Sequence, residues 1–150
     1  MKNYLLVFDR QREAALTDYG LLILRAGVGL LMLLGHGWPK LSNFTTMLDQ
    51  FPDPIGLGAG LSLTLATFAE FLCSLLIIFG LFTRLASIPL LINMLVALFF
   101  VHMGDDYIMQ ERVMLYLLPY LTLLVAGAGR FSLDDSIRKG RTARPDRAAV

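Results

Sequence analysis

Four long apolar runs restrict this 150-residue chain more than any motif in it. They span residues 20–38, 58–82, 85–103 and 113–128. A helix crosses the hydrocarbon core of a bilayer with about 17–25 apolar residues, so three runs have the length of a span and the fourth is short for one. Each is apolar on all sides, as a lipid-facing helix must be. Composition agrees, with 56% apolar and 17% charged residues. A soluble domain averages about 25% charged. A soluble four-helix bundle fails on that shortage, because almost no polar face remains to meet water. The expected fold is all-α: an integral membrane four-helix bundle, up-down-up-down. Residues 1–19 form an N-terminal segment, 20–130 the four-span domain and 131–150 a basic tail.

Other classes drop out quickly. A formal net charge of +1 offers no footprint for nucleic acid. The lone Cys73 excludes a disulfide scaffold. Asp9, Arg10, Arg12, Glu13 and Asp18 precede the first apolar run, which does not fit a secretory signal, so that run is expected to remain as a span.

Basic residues set the expected orientation. Ten of the 13 Lys and Arg flank the spans on one side, in residues 1–19, at Arg84 and in the tail. Only Lys40 and Arg112 fall on the other side, and Arg25 lies within the first span. The richer side is the cytoplasm, so both termini are expected there. Residues 39–57 and 104–112 become the outer loops. The short link at Thr83–Arg84 makes the second and third spans antiparallel neighbours. The tail reads as a solvated, disordered segment, or as one touching anionic headgroups.

Ionisable groups at membrane depth are costly and mark candidate sites. Glu70 sits near the middle of the second run and shares a helix face with Thr67 and Ser74. Asn93 lies mid-way along the third run, Tyr116 and Tyr120 along the fourth. These groups read either as a hydrogen-bonded layer that sets helix register or as a ligand pocket. A charged Glu70 needs a partner, and Arg25 is the expected one, against the alternative that Arg25 snorkels to headgroups. The first helix is expected to stop at Trp38, because Pro39 disfavours helical geometry there. His36, Lys40 and His102 then sit at the outer boundary as candidate binding groups. No metal is expected, since no H-x-x-x-H, E-x-x-H or C-x-x-C spacing occurs.

Arg25 followed by GHGWPKL (35–41), AEFLCSLLIIFGLFTRLAS (69–87) and GAGRFSLD (127–134) together resemble the DoxX family of small four-helix membrane proteins. The match covers about residues 18–135, and its recurring positions here are Arg25, His36, Gly37, Lys40, Glu70, Gly80 and Arg84. The resemblance implies a bacterial inner-membrane protein with both termini inside, and a redox connection through relatives that serve quinone-linked oxidoreductases. The leading expectation is a membrane subunit of a redox system, with Glu70 and Arg25 as catalytic groups. His36, Lys40, Asn93, His102, Tyr116 and Tyr120 would line a quinone pocket. A partner protein would supply the redox centre. Two other readings stand beside it: a scaffold docking a soluble enzyme, and a small-solute or proton permease acting as a homo-oligomer.

Overall fold

A computed structural model describes residues 10–142 of the chain. Lys2, Arg144 and Arg147, three of the residues that weigh on orientation, lie outside it. Six helices follow one another among the described residues. Helix α1 runs Arg10–Met32, passes through a wide π-helical turn at Leu33–Gly37 and resumes as Trp38–Ser42. Helix α2 is the short Phe44–Met47. Helix α3 is Ala59–Thr67, a second wide turn at Phe68–Cys73, then Ser74–Phe79. Helix α4 is Thr83–Val96 with a third wide turn at Ala97–Val101; α5 is Tyr107–Ala126; α6 is Leu133–Thr142. No strand occurs among these residues. Four helices are long and apolar enough to cross a membrane: α1, α3, α4 and α5.

Helix α1 packs on α3 and α5, and α4 packs on the same two, so the four long helices close around one core. Val28, Met32, Cys73, Ile77, Leu90, Met94, Tyr120 and Leu123 fill it. Large apolar side chains also point outward, Ile23 and Val125 each 72% exposed. An apolar exterior over an equally apolar core is the pattern of a chain solvated by lipid.

The first helix does not stop at Trp38. The wide turn Leu33–Gly37 places Pro39 at the start of the segment that resumes α geometry. Pro39 lacks a helical N–H, and the wide turn just before it is where the hydrogen-bond register has already shifted. The fourth long helix begins at Tyr107, earlier than Val113, because Asp106 leaves helical geometry and polar Gln110, Glu111 and Arg112 complete the first turns. The tail differs most from expectation: Leu133–Thr142 is helix rather than disordered chain.

One knot holds an end of the bundle together. Helix α3 ends at Gly80, which takes a left-handed conformation (φ 66°), and the Leu81 N–H closes back on the Leu76 carbonyl at 2.9 Å. The Asp134 carboxylate accepts the Phe82 and Thr83 N–H groups at 2.7 and 3.0 Å, satisfying donors at the start of α4. The Asp134 N–H in turn reaches the Gly80 carbonyl at 2.9 Å.

Candidate functional site

Glu70 belongs to the wide turn of α3 and is buried. Lys40, from the resumed end of α1, brings Nζ to 2.5 Å from Glu70 Oε2. Asn93, on α4, donates from Nδ2 to Glu70 Oε1 at 2.9 Å. Both carboxylate oxygens are thereby engaged, one by a cation and one by an amide. His36, within the wide turn of α1, meets the Tyr116 ring of α5 edge-on at 5.5 Å between centroids. All four long helices contribute to this cluster.

Close backbone contact makes the cluster reachable. The wide turns of α1 and α3 pack on each other. A Cβ added to Gly37 would lie 2.4 Å from the Glu70 carbonyl oxygen and 2.8 Å from Phe71 Cα. Only a residue without a side chain lets the two backbones approach that far. Gly29 makes a looser approach one level along, where a Cβ would lie 2.7 Å from the Ile78 side chain and 3.2 Å from the Ser74 carbonyl oxygen.

The cluster borders a cavity of about 1240 Å3. His36, Lys40, Glu70, Asn93 and Tyr116 line it, with His102 and Arg112. Most of the remaining wall is apolar, including Val28, Met32, Ala66, Ile92 and Val113. Phe51, Pro52 and Pro54, from the segment between α2 and α3, also border it. Lys40, Phe51 and Pro52 separate it from a smaller space of about 360 Å3 beside Thr46, Met47 and Gln50.

Arg25 is not Glu70's partner, and it does not snorkel. It is 2% exposed and spends its guanidinium on backbone carbonyls: Ile78 at 2.7 Å, Ile77 at 3.4 Å, and Phe131. Ile77 and Ile78 lie in the last turn of α3, where few helical N–H groups remain, and Ile77 also accepts from the Gly80 N–H at 3.1 Å. Lys40 supplies the cation because the helix continues past Pro39 and the long lysyl stem reaches back from its end. Two other candidates also lie off the cluster. Tyr120 is fully buried in the core with its hydroxyl beside Ser74, and does not line the cavity. His102 lines it but bonds Asp105 Oδ2 at 2.6 Å. Among the described residues, no three His, Cys, Asp or Glu side chains are grouped as a metal site requires.

The Lys40–Glu70 pairing, the close packing at Gly37 and the place of Arg112 on the cavity wall are what sequence reasoning missed. One signal was available: a buried carboxylate needs a cation, and Lys40 falls one helical turn beyond His36 on the same stripe.

Chemically, the arrangement is a charged, hydrogen-bonded cluster facing an apolar cavity. It can orient the polar head of an apolar molecule, and Glu70 can accept a proton where a ligand competes for Lys40.

Known proteins give the family context. The model of the DoxX family matches residues 20–103, which include Arg25, His36, Lys40, Glu70, Asn93 and His102. An uncharacterized protein of Haemophilus influenzae is 31% identical over 107 residues, covering 68% of this chain and 71% of that one. A second uncharacterized protein of the same organism is 32% identical over 132 residues, covering 81% and 92%. No solved structure matches the chain.

Proposed function

The chain belongs to the DoxX family, and from that premise we propose that it is the membrane subunit of a redox system that binds a quinone. It sits in a bacterial inner membrane as an up-down-up-down bundle with both termini in the cytoplasm, the orientation that ten basic residues against two favour. The observation that carries the reading is the Lys40–Glu70–Asn93 cluster at the wall of a largely apolar cavity of about 1240 Å3. Ligand sites combine such apolar walls with a few convergent polar groups.

The residues present suit that ligand class. Lys40 and Asn93 are donors for a carbonyl oxygen, and Glu70 is an acceptor for a hydroxyl proton. A bound quinone would supply the two-electron chemistry that no side chain of this protein can. The chain's own residues bind and orient the head, exclude water and hold a proton on the Glu70 carboxylate. Electrons pass to or from a partner protein with its own redox centre.

Trp38 is the single tryptophan and sits next to the cluster, its ring 6.3 Å from that of Phe71. Titrating the purified protein with decylubiquinone is expected to quench its fluorescence saturably. Glu70→Gln is expected to weaken binding about tenfold, equivalent to ~1.4 kcal/mol. Quenching that does not saturate, or is the same in Glu70→Gln, overturns the assignment.

A further inference from the structure

Helix α6 is amphipathic in the reverse sense to a helix lying on a protein in water. Its two acids face the protein: Asp135 is buried, and Asp134 caps α4. Its apolar pair, Leu133 and Ile137, shares one face four residues apart and points away, 45% and 49% exposed. A helix covered by water would hide the apolar pair and show the acids. The helix cannot roll over to correct this, because Asp134 is bonded on both its side chain and its backbone.

The surroundings say what covers the outward face. The apolar pair continues into exposed Phe131 and Phe82 at the same end of the bundle. Phe82 holds a left-handed backbone (φ 49°), a strained setting for a bulky residue, with its ring 59% exposed. Arg138 and Lys139 each pair with Asp135, at 2.5 and 2.6 Å, from side chains that stay 75% and 61% exposed, and Arg141 follows them. Apolar and aromatic side chains rimmed by Arg and Lys, at the end of a set of spans, match the chemistry of a headgroup layer.

We propose that α6 lies in the headgroup plane of an anionic leaflet, with Leu133 and Ile137 reaching the acyl boundary and the basic flanks on lipid phosphates. The proposal is independent of the redox reading.

Spin labels test it on the full-length protein carrying Cys73→Ala, in nanodiscs of phosphatidylcholine with or without phosphatidylglycerol. With phosphatidylglycerol, a label at Ile137→Cys is expected to collide with oxygen more than with an aqueous nickel chelate. A label at Lys139→Cys is expected to do the reverse. Replacing Arg138 and Arg141 by Gln, which leaves Lys139 on Asp135, is expected to weaken the dependence on phosphatidylglycerol. Leu133→Cys, on the same face, serves if Ile137→Cys does not fold. A nickel-accessible label on the apolar face in both lipids overturns the proposal and favours a protein-docking surface. A depth indifferent to phosphatidylglycerol overturns the anionic leaflet.

Discussion

Lys40 reaches Glu70 from the far end of a helix that a proline was expected to terminate, and closes to 2.5 Å on its carboxylate. The pair is well shielded, with side chains 17% and 6% exposed. Removing one member of such a pair strands a buried charge. Lys40→Met or Glu70→Leu alone is expected to lower stability by about 3–5 kcal/mol. The double variant is expected to recover wild-type stability or exceed it by about 1–4 kcal/mol. Thermal unfolding of all four proteins in one detergent closes the cycle, and additive losses would count against the pairing.

Gly37 and Gly27 predict opposite outcomes for the same change. Gly37→Ala drives a methyl into the Glu70 backbone, and overpacking of that kind costs about 1–3 kcal/mol. A Cβ at Gly27 meets nothing within 4 Å, so Gly27→Ala is expected to be neutral or to stabilise the helix by about 0.5–1 kcal/mol. Unfolding midpoints of the two variants decide this directly.

Arg25 predicts a loss of stability without a loss of ligand. Arg25→Met leaves the Ile78 and Phe131 carbonyls without this donor and the Ile77 carbonyl with the Gly80 N–H alone, at about 1–3 kcal/mol for each group left unsatisfied. Arg25 does not line the cavity, so decylubiquinone quenching of Trp38 is expected to be unchanged in protein that remains folded. Abolished quenching in a folded variant would return Arg25 to the binding site.

Asp53 predicts a pH dependence in the segment before α3. Its carboxylate accepts from the Gly58 N–H at 2.7 Å, the Ser62 hydroxyl at 2.8 Å and the Leu57 N–H at 2.9 Å. These bonds, Gly58 first and Ser62 next, hold its pKa below the ordinary carboxylate value. A depressed folded pKa means the ordering contribution is complete above the ordinary value and is lost as pH falls through the depressed one. The Gly58 amide resonance should therefore titrate below the ordinary carboxylate range, and Asp53→Asn should flatten that curve.

The four long helices were legible because lipid imposes one rule, about 20 apolar residues per crossing, that a sequence states openly. Glu70 and Asn93 were legible for the same reason, as polar groups among residues with no use for them. Their partners were not. Helical spacing placed Lys40 on the right stripe, but its reach depends on a helix surviving Pro39, and that depends on a wide turn with no sequence signature. Arg25 was misassigned because charge suggested a carboxylate, whereas its guanidinium serves backbone carbonyls in the last turn of α3. The helicity of Leu133–Thr142 was hidden by composition, since a run rich in Arg and Asp reads as solvated chain until its caps and contacts are seen.

The wide turns at Leu33–Gly37 and Phe68–Cys73 act as phase shifters. A π turn takes one residue more than an α turn, so the same residues wound as plain α-helix would turn everything beyond by about 100°. In α1 the part beyond is Lys40, which would swing off the Glu70 carboxylate while every side chain kept its identity. The distance between cation and carboxylate is therefore written as a residue count: one residue trimmed from the wide turn would be absorbed by a return to α geometry and leave Lys40 facing Glu70, whereas one residue added in α geometry would carry it past.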